Sequence, residues 1–175
     1  MKKLLFLLLF IFSFNFGQTK EFPLKDKDFS AVILNKEMLF EGVISTGIPF
    51  KFRFKQVIKN PEKPDIYLVS GTSETEGKQT DFLGELNFTE KYDVKNTPSE
   101  MLLFGNFFLV ENGKNEHSGM FKGKFRIQTH KDVAAKENFS TLTFKGTWRN
   151  YSKTLDYKVW WANFNPSNIE KVIFK

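Results

Sequence analysis

Beyond position 36, apolar residues recur mostly at every second position, the mark of strands that bury one face. Eight such segments are predicted, at 37–44, 48–59, 65–72, 80–90, 100–110, 116–129, 139–149 and 154–164. The pattern is clearest in the second, where Phe50, Phe52, Phe54 and Ile58 share one face and Lys51, Arg53, Lys55 and Lys59 the other, solvated one. Turn-forming residues separate the segments: Ser45-Thr46-Gly47, Asn60-Pro61 with Pro64, Glu76-Gly77, Asn96-Thr97-Pro98, Asn112-Gly113 and Asn150-Tyr151-Ser152. Asn112-Gly113 is the strongest short hairpin signal among them, because both central positions of such a turn need positive φ. Short loops between strands predict antiparallel neighbours, and no glycine cluster opens a helix as a βαβ unit would require.

Four segments carry a repeat, Phe-x-Gly-x-apolar, at Phe40-Gly42-Ile44, Phe82-Gly84-Leu86, Phe121-Gly123-Phe125 and Phe144-Gly146-Trp148. The three positions fall on one face of a strand. A glycine there marks a bend or room for a neighbouring ring, as in coiled sheets that close on themselves. The predicted fold is therefore all-β: one antiparallel meander of about eight strands closed into a small barrel over 37–164. A two-sheet β-sandwich is the alternative. Residues 18–36 form an N-terminal segment and 165–175 a tail packed on the barrel.

Two strands are apolar on both faces. With Met101, Leu103, Phe107 and Leu109 inward, Leu102, Phe104, Phe108 and Val110 point outward. With Leu155, Tyr157, Val159 and Trp161 inward, Trp160 points outward. Phe104, Phe108 and Trp160 are thus predicted as an outer apolar interface, covered by the chain itself or used by a partner. Two segments are available as covers: 29–34, as a short helix or an extra strand, and the tail around Val172-Ile173-Phe174.

Phe144-Lys145-Gly146-Thr147-Trp148, followed by a polar turn and the strand from Tyr157 to Trp161, resembles the Gly-x-Trp strands of avidin-like and lipocalin-like barrels. It is also similar to the short exported barrel proteins of Bacteroidota. The resemblance covers 37–164 as a pattern. It implies the barrel architecture and no particular ligand. In lipocalins the Gly-x-Trp lies on the first strand, whereas here it falls on the seventh.

The first residues read differently from the rest. Lys2 and Lys3 precede a wholly apolar run from Leu4 to Phe12, and Gly17 offers a small residue. This is the pattern of a secretory signal peptide over 1–17, too short for a membrane span. The expected location is therefore outside the cytoplasm: periplasm, outer-membrane surface or medium. No second apolar stretch approaches the roughly 20 residues of a spanning helix. Loss of Lys2 and Lys3 lowers the formal charge from +6 to +4. The remaining basic residues are spread along the chain, and with export this argues against a nucleic-acid partner.

Composition removes most chemistry. The 175 residues include 22 Phe, two His and no Cys, which excludes disulfides, thiol nucleophiles and Cys-ligated metals. No hydrolase, metalloprotease or phosphate-loop motif occurs. The densest run of ligand-type residues, Glu111 to His117, holds the expected Asn112-Gly113 turn and Lys114, and is read as a hairpin rather than a metal site. Asp81, Glu85, Glu90 and Asp93 are carboxylates without a pairing signal. No catalytic residue, metal or cofactor is predicted.

One constellation points to binding. Trp148, Arg149, Tyr151, Tyr157 and Trp161 gather around one hairpin, with Asn150 and Trp160 between them. Aromatic rings interleaved with hydrogen-bonding groups suit a sugar ring or an apolar ligand at the mouth of a barrel. The expected function is non-catalytic binding of a small hydrophobic molecule, lipid or glycan within or at the mouth of the barrel. The alternative is a structural or interaction protein with a filled barrel, docking to an envelope protein or to a second copy by its outer apolar face.

Overall fold

The computed structural model describes residues 22–36, 39–45, 47–113, 118–134, 140–164 and 172–174. Among these, a short helix α1 (Ser30–Leu34) precedes eight strands. They are β1 (Phe40–Ile44), β2 (Ile48–Lys59), β3 (Ile66–Thr75), β4 (Lys78–Asp93), β5 (Glu100–Glu111), β6 (Gly119–His130), β7 (Thr141–Asn150) and β8 (Asp156–Ala162). Each strand pairs antiparallel with the next, and β8 returns to β1 with Gly42 opposite Trp161, so the sheet is a closed barrel. The predicted all-β meander is the observed fold.

Alternation fills the interior. Phe40, Phe50, Phe52, Phe54, Phe82, Phe107, Phe121, Phe125 and Phe144 are all buried. Trp161 lies at their centre, stacked on Phe144 at 4.9 Å and 3° and on Phe52 at 5.0 Å and 26°. Ring pairs at such separations add about 0.5–1.5 kcal/mol each beyond the burial of their area. The middle of the barrel is therefore solid aromatic packing. Among the described residues the Trp161 indole N–H, buried there, has no hydrogen-bond partner.

Two β-bulges alter the expected phase. On β2 the register shifts between Phe54 and Gln56, leaving Lys55 as an extra residue. Every side chain beyond it changes face, as a one-residue insertion requires. Val57 is consequently buried and Ile58 is 48% exposed, the reverse of the sequence expectation for Ile58. Lys59, expected on the outer face, instead turns toward one end of the barrel, where its ammonium donates to the Lys25 carbonyl at 2.5 Å and the Lys27 carbonyl at 2.7 Å. A second bulge, at Thr89 on β4, lets that strand run on to Asp93.

The glycines of the repeat serve the backbone more than the rings. Gly123 and Gly146 face each other across β6 and β7. A Cβ on Gly123 would lie 2.6 Å from the Gly146 Cα and closer still to the Lys145 carbonyl oxygen. A side chain there has no room, so the two strands approach as only glycines permit. Rings do cover two other glycines, Gly71 under Phe82 and Gly105 under Phe125.

The turns also differ from expectation. The two-residue turn with both central φ positive is Glu76-Gly77, at 52° and 77°, joining β3 directly to β4. At the predicted hairpin Asn112-Gly113, β5 and β6 do pair, β5 ending at Glu111 and β6 starting at Gly119, with 114–117 outside the described residues.

The N-terminal segment closes one end of the barrel, here called the lower end. Phe22 and Phe29 pack on Phe88 at 5.2 and 5.5 Å, and Val32 and Ile33 of α1 are buried. The Tyr67 hydroxyl accepts from the Phe29 N–H at 3.0 Å and donates to the Lys27 carbonyl at 3.3 Å. Burial pushes the Tyr67 hydroxyl up to about 12. The Lys27 ammonium donates to the Lys131 carbonyl at 2.5 Å. The segment forms a helix, one of the two expected conformations, but it plugs an end of the barrel instead of covering the outer wall. Its apolar residues cover Phe88 and join the buried core there. Of the tail, 165–171 and 175 lie outside the described residues, and Ile173 is 78% exposed.

Candidate functional site

At the opposite, upper end the described residues leave a cavity. It measures about 720 Å³ and lies between the end of β1, the start of β2, the β3–β4 hairpin, the end of β5, and the facing parts of β6, β7 and β8. Its floor and apolar wall are Phe121, Trp148, Tyr157, Leu155, Ile44 and Ile48. Its polar wall comes from the ends of β3 and β4: Ser73, Thr75, Thr80 and Gln79, with Glu76 and Lys78 at the rim. Glu111, the last residue of β5, completes the lining.

Local structure fixes each part. Asn150 ends β7 and holds the following turn: its side-chain amide donates to the Ser152 and Thr154 hydroxyls at 2.9 Å, and its side-chain oxygen accepts from the Leu155 N–H at 2.9 Å. That turn sets Leu155 and Tyr157 against Trp148, whose ring lies 6.0 Å from that of Tyr157 and 6° from parallel. The Tyr151 hydroxyl donates to the Glu111 backbone carbonyl and ties the same turn to the end of β5.

The Glu111 carboxylate is buried and accepts three hydrogen bonds. Ser73 donates its hydroxyl to Oε1 at 2.5 Å; Trp148 Nε1–H and the Gly119 N–H donate to Oε2 at 2.9 and 3.0 Å. Among the described residues no cation pairs with it. Burial pushes its carboxyl above the ordinary carboxylate range, against the pull of the three donors. The cup thus joins an aromatic wall to one buried acid.

No protein-family model, no curated protein and no solved structure matches this chain.

Of the residues predicted to bind ligand, Trp148 and Tyr157 line the cup. Tyr151 stands at its rim as a half-exposed brace. Arg149 points to the outside, where its guanidinium donates to the Asp156 carboxylate at 2.8 Å. Trp161 is fully buried below the floor, enclosed by Phe50, Phe52, Phe107 and Phe144. Ser73 and Glu111 were not singled out as binding residues. The signal was present: the inward phase Met101, Leu103, Phe107, Leu109 carries Glu111 inward two residues on.

The predicted outer interface divides. Phe104 is buried beneath Tyr92, rings 5.6 Å apart at 86°. Phe108 stands between Glu85 and Lys122, and Trp160 between Lys145 and Val43. Three strand spacings, about 14 Å, separate β5 from β8. Phe108 instead joins exposed apolar residues of β2, β3 and β4: Ile58, Leu68 and Leu83, the last 66% exposed. Among the described residues no three acids or histidines cluster as metal ligands, and no helix is long and apolar enough to cross a membrane.

Proposed function

We propose that the protein is an exported, non-catalytic barrel that binds a small, largely apolar molecule in the cup at its upper end. The observation that carries this is the contrast between the two ends. The lower end is closed by its own N-terminal segment and the centre is filled by rings, whereas the upper end holds a walled cavity of about 720 Å³. That volume suits a small ligand, and a lining that sets an apolar wall with three rings against hydroxyl, amide and carboxylate groups offers both apolar contact and hydrogen bonds. Because the middle is solid, the ligand stays at the mouth and does not thread the barrel. Export rests on Lys2, Lys3 and the apolar run that follows them.

Titration with the neutral fluorescent probe N-phenyl-1-naphthylamine tests the cup. Saturable binding is expected, and Thr75→Trp, which places a large ring in the cavity, should weaken it at least tenfold. Unchanged binding by that variant would place the probe elsewhere.

A second reading has its own observation. Ile58, Leu68, Leu83 and Phe108 expose neighbouring apolar side chains on the wall over β2–β5. Such a patch suits docking to a second copy of the chain. In that reading the cup is incidental and the wall is the working surface.

A further inference from the structure

Among the described residues, the buried acid in the cup has no counter-ion. Glu111 receives three hydrogen bonds from Ser73, Trp148 and Gly119, all from neutral donors. A carboxylate offers about four lone-pair positions, so one remains for a further donor. Burying an ionised carboxylate without a cation is costly, and hydrogen bonds from neutral groups offset only part of that cost. Among the described residues the other charges that line the cavity are Glu76 and Lys78, exposed and of opposite sign, so within that set the acid's charge is uncompensated. Trp148 stands beside it with its N–H edge toward the carboxylate and its ring parallel to that of Tyr157 in the same wall.

We propose that the cup selects a ligand carrying a positive charge, an ammonium group on an apolar body, with Glu111 as its counter-ion. The apolar body rests on Trp148, Tyr157 and Leu155 while the ammonium donates to Glu111. A neutral hydroxyl of the same size gains the hydrogen bond but not the charge. A carboxylate meets like charge. The raised proton affinity of Glu111 agrees with this, because a cation beside the carboxyl would favour its ionised form.

This inference rests on the cup being a ligand site, and the test separates the two. Octylammonium, 1-octanol and octanoate, titrated below their aggregation concentrations at pH 7.5 and followed by calorimetry, share one apolar body and differ in charge. Octylammonium is expected to bind at least tenfold more tightly than 1-octanol, and octanoate more weakly than either. Glu111→Gln, which keeps an acceptor but removes the charge, should bring octylammonium to the level of 1-octanol. Added salt should weaken octylammonium alone in the unaltered protein, a readout that stands even if the variant folds poorly. If 1-octanol or octanoate binds as tightly as octylammonium, the charge selection is wrong and the cup reading stands. If none of the three binds, both are wrong.

Discussion

The indole N–H of Trp148 donates to Oε2 of Glu111 at 2.9 Å, joining β7 to β5 across the mouth of the barrel. The same carboxylate takes the Gly119 N–H at the start of β6, so one acid ties three consecutive strands at their upper ends. The bond also holds the largest ring of the cup upright against Tyr157.

Trp148→Phe should keep much of the packing and lose this bond. The cost expected is about 1–3 kcal/mol, since a buried acceptor loses a partner. Trp148→Ala should cost roughly 3–5 kcal/mol, the range for removing a buried large aromatic. Urea denaturation checks both. A loss below about 1 kcal/mol for the alanine variant, well under that range, would contradict the packing described.

Glu111 also makes stability depend on pH. Its folded-state pKa is raised above the ordinary 4.5, so the folded protein holds a proton that the unfolded chain has already released. Its contribution is therefore fully present below that ordinary value and is lost as pH rises through the folded pKa. Glu111→Gln should flatten this part of the stability profile. A wild-type profile identical in slope to that of the variant above pH ~4.5 would contradict the buried acid.

Gly123→Val tests the close approach of β6 and β7. The added side chain meets the Gly146 backbone and the Lys145 carbonyl, which no rotamer avoids. Destabilisation of at least about 1–3 kcal/mol is expected, as for overpacking elsewhere. A variant as stable as the parent would show that the strands can separate there without loss.

The strand phases were legible because rings and charges alternate cleanly in most segments. Trp161 inward and Trp160 outward follow from that alternation alone, and the structure places them so. The bulges at Lys55 and Thr89 were not legible, because neither is marked by a glycine or proline and each merely shifts the pattern beyond it. Ile58 and Lys59 changed face for that reason. The cup was half legible: the aromatic hairpin around Asn150 drew attention to Trp148 and Tyr157. Ser73 and Glu111 come from β3 and β5, and only the registers of those two strands on β4, which lies between them, bring the two residues to the same end.

The lower plug has a direct consequence. Phe29 is fully buried against Phe88, so Phe29→Ala should cost roughly 3–5 kcal/mol and admit an apolar dye at the lower end. Melting and dye fluorescence measure both. An unchanged melting temperature would mean that the segment lies on the barrel without stabilising it.

The reading of the outer wall as a contact between copies predicts an oligomer. Sedimentation of the intact protein should then show a dimer or larger, and Phe108→Glu should make it monomeric. A monomer at high concentration in the unaltered protein would set that reading aside.

The central claim is that the upper cup, and neither the filled interior nor the outer wall, receives the ligand. The three tryptophans occupy these three places: Trp148 in the cup, Trp161 in the core and Trp160 on the wall. Their indole N–H resonances, followed by nuclear magnetic resonance during titration with octylammonium and 1-octanol, report on each place separately. The account predicts a saturable shift of the Trp148 signal, with Trp161 and Trp160 nearly still. A titration that moves the Trp160 signal, or none of the three, would contradict it.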